Sequence, residues 1–302
     1  MKYSKVLFLS LVLFASAAFG QPAKTASESK LFDAAQLLRD IQTLSADDME
    51  GRSPQQPSIQ KARDYVEKRF AESGLQPIGA YFKQEFGIRQ RGESAPLKGV
   101  NYVGLIKGRK APERYIVITA HYDHEGIKKG ATFNGADDNA SGTSALFTIA
   151  AYFKKHQPDH SLIFVAFDAE ELGLLGAQHF VTNLPVARED ILLNVNMDMI
   201  SRNDKGELYA VGTKYYPQFK PVLESVQKTA PVKLRLGHEE WTNQSDQAAF
   251  HAAKIPFIYF GVEDHKDYHK PTDDFANIQP AFYVSAVETI IATIKALDEP
   301  TK

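Results

Sequence analysis

Apolar positions recur every three or four residues through much of the chain, which is the spacing of one face of a helix. Leu31 to Leu44 and Ile59 to Phe70 show this pattern, and Gly74 follows the second segment, where a helix end favours glycine. Further helices are predicted at Gly142–Lys155, Leu174–Thr182, Tyr216–Thr229 and Ser245–Ala253, and from Pro280 to near Leu297.

Runs of consecutive apolar residues separate these helical patterns. Ser161–Phe167, Ile191–Met197 and Pro256–Phe260 are nearly continuous, as in strands that are covered on both faces. Shorter β-like runs lie at Tyr81–Phe86, Val100–Ile106 and Tyr115–Ala120. This alternation of strands and helices predicts an α/β fold with a mostly parallel mixed central sheet and helices on both faces.

The N-terminus has the pattern of a signal peptide at residues 1–20. Lys2 and Lys5 precede the apolar stretch Val6–Ala15, and Ala18-Phe19-Gly20 supplies small residues for cleavage. We therefore expect an exported, periplasmic or secreted protein; an uncleaved anchor is the alternative. No later segment looks apolar for long enough to cross a bilayer, so no membrane insertion is expected after cleavage.

The mature chain is expected to form one domain over residues 21–302, with a flexible leader at 21–30, because no linker or repeat divides it. Gly206–Tyr216 and Gly237–Ser245 are interpreted as loops that shape a pocket. The formal charge of −2 and the lack of a basic stripe argue against a nucleic-acid partner. The chain has no cysteine, which excludes disulfides and thiol catalysis.

Acidic and histidine residues cluster where the predicted strands end, and sites in open α/β sheets form there. The residues concerned are His121-Tyr122-Asp123 after one strand, the turn Asn134–Gly142, Asp168-Ala169-Glu170-Glu171, Asp198, and Tyr268-His269-Lys270-Pro271. Each group alone has an ordinary explanation, such as a surface pair or a helix cap. Their conjunction favours one shared site, and Asp198 at the end of a buried strand needs a partner.

These motifs resemble those of the co-catalytic di-zinc aminopeptidases of the bacterial leucyl aminopeptidase and aminopeptidase Y type. The resemblance covers nearly the whole mature chain and includes His121-Tyr122-Asp123-His124, Gly135–Gly142, Glu170-Glu171-Leu172-Gly173, Asn196-Met197-Asp198-Met199 and Tyr268-His269-Lys270-Pro271. It implies a zinc-exopeptidase, phosphorylase/hydrolase-like architecture, two bound zinc ions and a peptide substrate with a free N-terminus.

By this resemblance, His121 and Asp198 bind one zinc, Glu171 and His269 bind the other, and Asp138 bridges the two. Imidazole and carboxylate groups are suitable zinc ligands, although Co²⁺ or Mn²⁺ would also be accepted. The resemblance also implies a cis peptide between Asp138 and Asn139.

Catalytic roles follow from the same resemblance. Glu170 is expected to act as the general base and Tyr268 to donate a hydrogen bond to the developing oxyanion, although plain packing is an alternative for Tyr268. Asp123 is expected to accept the free N–H of His121, and Asp273 to support the His269 region in the same way.

Other polar residues are not assigned to the site. His124-Glu125 and His238-Glu239 lack a second histidine four residues after the first, so the metalloprotease helix motif is absent. Asp137 is expected to cap or orient, and Asp246 to be structural. The chain is thus predicted to be a zinc aminopeptidase; a carboxypeptidase, a glutaminyl cyclase or a non-catalytic receptor-like protein on the same fold are the alternatives.

Overall fold

Strands and helices alternate along residues 28–89 and 96–299, which are the residues that the computed structural model describes. The helices are α1 Ala34–Leu44, α2 Ile59–Glu72, α3 Gly142–Lys155, α4 Leu175–Thr182, α5 Lys220–Gln227, α6 Gln247–Ala252 and α7 Pro280–Asp298. The strands are β1 Gln76–Pro77, β2 Lys83–Ile88, β3 Leu97–Ile106, β4 Ala111–His121, β5 Gly126–Lys128, β6 Ala131–Phe133, β7 His160–Phe167, β8 Ile191–Met197, β9 Glu207–Val211, β10 Lys233–Leu236 and β11 Phe257–Gly261. The predicted signal peptide and most of the predicted leader lie outside the described residues.

The central sheet is mixed, with a parallel middle. Its strand order is β1-β3-β7-β4-β8-β11-β9-β10, and β2 also pairs with β3. Strands β7, β4, β8 and β11 are parallel to their neighbours in this series, whereas β3 and β9 flank them in antiparallel pairings. The predicted α/β fold with a mostly parallel mixed sheet is therefore confirmed.

The continuous apolar strands face a hydrophobic cluster on each side of the sheet. In β7, Leu162, Phe164 and Ala166 belong to the larger cluster, and the alternate residues belong to the smaller one. Helices α1, α2, α3, α5 and α7 contribute to the larger cluster, and α4 and α6 to the smaller. Because successive strand side chains point to opposite faces, both faces of these strands had to be apolar.

Two predicted regions differ from the structure. The segment interpreted as the loop Gly206–Tyr216 contains strand β9, and the unpredicted strand β10 pairs with it in parallel at the sheet edge. The helix predicted over Tyr216–Thr229 is shorter, because a 3₁₀ turn at Pro217–Phe219 precedes α5. Pro221 near the start of α5 suits a first helical turn, where no donor is required.

The expectation that no segment after the signal peptide is apolar for long enough to cross a bilayer is wrong for helix α7. It is long and apolar enough to cross a membrane by length and composition, with a mean hydropathy of 1.3, although half of that stretch is buried. Ile290, Ile291 and Ile294 are fully buried in the larger cluster. Its apolar composition is thus explained by packing against the protein's own core.

Arg52 is fully buried and joins the segments that carry the polar strand ends. Its guanidinium donates to the carbonyl oxygens of Leu44, Tyr122, Asn134 and Gly135 at 2.6–2.8 Å. Burial lowers the pKa of Arg52 to about 10 against the raising effect of nearby carboxylates, so the group stays charged at neutral pH. These bonds fix the backbone on both sides of the site.

Replacing this guanidinium should destabilise the protein strongly. Arg52→Met leaves four carbonyl groups without their donor, so we expect the free energy of unfolding to fall by about 3–5 kcal/mol in urea titrations. Arg39→Met, on the exposed face of α1, is the control and should cost under about 1 kcal/mol. Equal losses in the two variants would show that Arg52 does not have this structural role.

Candidate metal centre

The polar strand ends meet at the carboxyl edge of the parallel strands. His121 is the last residue of β4, Asp198 follows β8 directly, and Glu170 and Glu171 follow β7 within four residues. His269 lies in the segment after β11. The order of these strands in the sheet brings residues that are distant in sequence to one place.

One group of ligand atoms forms around His121. Its Nε2 atom lies 3.4 Å from Asp138 Oδ1 and 3.4 Å from Asp198 Oδ1, and Glu170 Oε2 is 4.0 Å away. His121 and Asp198 are buried, and among the described residues neither His121 Nε2 nor Asp198 Oδ1 has a hydrogen-bond partner. Buried polar atoms without partners usually mark a missing proton, water or ion.

A second group forms on the other side of Asp138. His269 Nε2 lies 3.1 Å from Asp138 Oδ2 and 3.4 Å from Glu171 Oε2. Asp138 thus presents one carboxylate oxygen to each group, as a bridging ligand does. The structure brings together all five residues that the resemblance named as metal ligands.

The donor set fits zinc. At metal–ligand distances of about 2.0–2.2 Å, tetrahedral geometry separates neighbouring ligand atoms by roughly 3.3 Å, close to the separations seen in both groups. Imidazole nitrogens and carboxylate oxygens are the ligand types that zinc accepts in catalytic sites. His121, Asp138 and Asp198 would hold one ion, and Asp138, Glu171 and His269 the other.

The site concentrates negative charge away from water. Burial raises the pKa of the carboxyl groups of Asp138 and Glu170. Burial opposes protonation of His269, but its contacts with Asp138 and Glu171 outweigh this and raise its pKa to about 11. For Glu171, burial is outweighed by the neighbouring imidazoles of His124 and His269, which hold its pKa well below the usual range. These carboxylates therefore stay ionised only with positive charge nearby.

Left-handed backbone occurs at three non-glycine residues of the site. Ala169 before the glutamate pair, Met199 after Asp198, and His269 itself have φ between 51° and 59°. L-residues rarely adopt this conformation, and such positions concentrate at functional sites. The expected cis peptide between Asp138 and Asn139 is also present.

Asp123 supports the site differently from the expectation. His121 Nδ1 lies 3.2 Å from the backbone oxygen of Asp123, and the carboxylate is farther away at 3.8 Å. The Asp123 carboxylate instead accepts from the backbone N–H groups of Glu170 at 3.0 Å and Glu171 at 3.3 Å. Asp123 therefore positions the two glutamates as well as the imidazole.

Asp273 supports a different residue from the one expected. Its carboxylate accepts from the backbone N–H groups of Asp137 and Asp138 at 3.0–3.2 Å, so it holds the turn that carries the bridging candidate instead of His269. Asp137 accepts from Ser201 N and Oγ and lies 3.0 Å from His265 Nε2. This agrees with an orienting role for Asp137.

Two other acidic residues near the site are buried. Asp168 is paired with Arg63 at 2.7 Å and accepts from Tyr122 and from the backbone of Val100, which is a structural arrangement. Among the described residues, both carboxylate oxygens of Asp246 lack a hydrogen-bond partner, and burial raises the pKa of Asp246 to about 7.

His124 is close to the predicted ligands, although sequence reasoning set it aside. The side chain is fully buried, and its Nδ1 atom lies 2.7 Å from Glu171 Oε1 and 3.8 Å from Asp138 Oδ2. The missing metalloprotease helix motif carries no information about this proximity. The sequence signal for it is position, because His124 comes three residues after His121, the last residue of β4.

A cavity of about 380 Å³ opens onto the ligand groups. Its walls combine the acidic residues of the site with apolar and aromatic side chains, among them Leu174, Met199, Trp241, Tyr259 and Val262. Tyr268 also lines the cavity, and its ring stacks on His269 with centroids 3.9 Å apart. Burial and nearby carboxylates raise the pKa of Tyr268, so its hydroxyl remains protonated and can donate a hydrogen bond.

The chain belongs to peptidase family M28, because residues 101–294, well over half of it, match the model of that family. Aminopeptidase YwaD of Bacillus subtilis (strain 168) is 32% identical over 206 residues, which cover 64% of this chain and 44% of that protein. The chain spans less than half the length of the first curated relatives that it matches. The predicted family resemblance is confirmed.

Solved structures share the fold. A Zn-dependent exopeptidase from Parabacteroides distasonis superposes with a TM-score of 0.72 at 18% identity, covering 87% of this chain and 98% of that one. A glutaminyl cyclase from Porphyromonas gingivalis gives 0.72 at 18% identity, covering 88% and 99%. At such identities the likeness describes the architecture alone, which this chain shares with both of these proteins.

The role of Asp123 can be tested through metal affinity. Asp123→Asn keeps the shape but loses one of the two acceptors that hold the Glu170–Glu171 backbone. We expect the zinc dissociation constant, measured against a chromophoric chelator, to rise about 10–100-fold, as is typical of residues that orient ligands. Asp64→Asn, on the exposed face of α2, is the control. An unchanged dissociation constant in Asp123→Asn would contradict the assignment.

Proposed function

We propose that this chain is a zinc-dependent exopeptidase, specifically an aminopeptidase that hydrolyses the N-terminal bond of peptides. The observation that carries the proposal is the convergence of His121, Asp138, Glu171, Asp198 and His269, with Asp138 directed at both groups. Membership of peptidase family M28 supports a hydrolytic reaction on a peptide. We extend the proposal to one peptidase domain over residues 21–302.

The five ligand residues would hold two zinc ions, for which Co²⁺ or Mn²⁺ could substitute. Zinc held by these residues would polarise the scissile carbonyl and lower the pKa of the attacking water. The protein's own contribution is to fix the ligands, and the Asp123 and Asp273 contacts with backbone N–H groups do this.

Glu170 is assigned as the general base. Its Oε2 atom lies 4.0 Å from His121 Nε2, beside the ligands, and the residue lines the cavity. Asp123 holds the Glu170 backbone by accepting its N–H, while Glu171, the next residue, faces His269. Glu170 would take a proton from the attacking water and deliver it to the leaving amine. Tyr268, whose hydroxyl remains protonated, would donate to the developing oxyanion.

The charge of the cavity favours a free N-terminus over a free C-terminus. Among the described residues, the cavity walls carry Asp138, Glu170, Glu171, Asp198 and Asp264 but no lysine or arginine. Zinc ions would neutralise Asp138, Glu171 and Asp198, which leaves Glu170 and Asp264 to stabilise an α-ammonium group. A terminal carboxylate needs a cationic side chain instead. This observation favours an aminopeptidase over a carboxypeptidase, and we assign the α-amino group to the region of Glu170 and the zinc ion held by Glu171 and His269.

A glutaminyl cyclase is the second candidate, because the Porphyromonas gingivalis cyclase has a similar fold. The complete set of five ligands, including His121, favours the two-metal peptidase. We further propose that the chain is exported, on the basis of the signal-peptide pattern at residues 1–20, and that α7 stays in the protein core after export.

A substrate comparison tests the reaction class. The purified chain should cleave aminoacyl anilides, lose this activity with a chelator and regain it with zinc. N-acetylated aminoacyl anilides should be cleaved at least about tenfold more slowly, because blocking removes the ammonium group that the carboxylates bind. Equal cleavage of free and blocked substrates would falsify the aminopeptidase assignment, and cyclisation of N-terminal glutamine without peptide hydrolysis would identify a cyclase.

A matched pair of variants tests whether Glu170 is the general base and Glu171 a metal ligand. Glu170→Gln should lower kcat about 10²–10⁴-fold while zinc content, measured by plasma mass spectrometry, stays at the wild-type level. Glu171→Gln should lose bound zinc, because an amide is a poor replacement for a charged ligand. If Glu170→Gln loses metal and Glu171→Gln retains it, the two roles are reversed.

A further inference from the structure

Asp264 is an acidic residue of the cavity wall that belongs to neither group of metal ligands. It lies three residues after the end of β11, it is exposed, and it lines the cavity that opens onto the ligand groups. Within residues 28–89 and 96–299, its carboxylate has no hydrogen bond and no ion pair. The negative charge of Asp264 is therefore available to a molecule that enters the cavity.

The two chain neighbours of Asp264 are bound to other parts of the protein. Glu263 pairs with Lys205 at 2.6 Å, and His265 Nε2 lies 3.0 Å from the fully buried Asp137. These contacts hold the backbone before and after Asp264. A group that discriminates between substrates has to be held in place in this way, because a mobile charge would follow any substrate.

The same cavity offers apolar and aromatic surface together with this charge. Met199, Trp241 and Tyr259 line it. The Trp241 ring stacks on His238 with centroids 4.1 Å apart, and Tyr259 meets the Trp241 ring edge to face at 6.3 Å, so this wall is formed before substrate binds. Long side chains with an apolar stem and a cationic end cover such surface with the stem, and aromatic rings also attract the cation.

The α-ammonium group of a peptide leaves one of the uncompensated carboxylates unpaired. With zinc on the five ligand residues, Glu170 and Asp264 are the acidic wall residues that keep their charge, as far as the structure describes the chain. An α-ammonium group brings one positive charge, which is assigned to the region of Glu170. Asp264 can then pair with a second positive charge, whereas a neutral side chain would cover its carboxylate without compensation and an acidic one would be repelled.

We infer that Asp264 selects peptides whose N-terminal residue is lysine or arginine, by pairing with the cationic end of that side chain. This inference rests on the proposed aminopeptidase function and names the substrate class of the same cavity. The cavity volume of about 380 Å³ lies in the range of sites that enclose small ligands, about 300–1,000 Å³, so it can hold the N-terminal residue of a peptide.

Anilides of lysine, arginine and norleucine test the preference, because norleucine has nearly the length of lysine without its charge. The zinc-loaded wild-type chain should cleave the two cationic substrates with kcat/KM at least about fivefold above that of norleucine anilide, since bound substrate shields the ion pair from water. Equal or faster cleavage of norleucine anilide overturns the inference while the aminopeptidase proposal stands. Cleavage of none of the three contradicts the aminopeptidase proposal, and the inference fails with it.

Variants assign the preference to one side chain. Asp264→Asn should bring the ratio of kcat/KM for lysine anilide to that for norleucine anilide close to one, and Asp264→Lys should favour glutamate anilide over lysine anilide. Ratios within one variant do not depend on its amount of active enzyme. Glu263→Gln is the matched control, because its amide can still accept from Lys205, and it should keep the wild-type ratio. A lysine preference that persists in Asp264→Asn overturns the assignment.

Discussion

Charge compensation is the constraint on which the rest of this structure depends. Asp123, Asp138 and Asp198 are buried, and the side chains of Glu170 and Glu171 are only 11% exposed, all at the carboxyl edge of the sheet. Several uncompensated carboxylates in low dielectric would cost many kcal/mol, so these groups remain ionised together only where positive charge accompanies them. Imidazole groups and a buried guanidinium supply part of it, and a pair of divalent cations between the two ligand groups would supply the rest. The parallel strands are the scaffold that makes this concentration possible.

The sequence pattern allowed the centre of the fold to be predicted, and it was least informative at the edges. Strand β8 and helix α3 have the predicted bounds, because their apolar residues are buried on both faces and leave an uninterrupted signal. Strands β9 and β10 are the last two in the strand order and have only five and four residues, so no long apolar run distinguished them from loops. The apolar length of α7 was underestimated because Glu288 and Lys295 interrupt its apolar residues.

The candidate ligand residues could be named from the sequence because the motifs that carry them resemble those of a known family. The contacts that support these residues could not be predicted from the sequence. Asp273 accepts from backbone N–H groups about 135 residues away, and a backbone donor carries no side-chain signature. The Asp123 carboxylate likewise accepts from the backbone N–H groups of Glu170 and Glu171, and these donors have no side-chain signature in the sequence. His124 was set aside because the helix motif is a local pattern, whereas its neighbours Glu171 and Gly135 come together only in the folded chain.

The central claim is that two metal ions share Asp138 at the carboxyl edge of the sheet. Anomalous diffraction from zinc-loaded crystals, recorded on both sides of the zinc absorption edge, measures this directly. The account predicts two peaks about 3.5–4 Å apart, one between His121 and Asp198 and the other between Glu171 and His269. A single peak, or no peak among these five side chains, would contradict it.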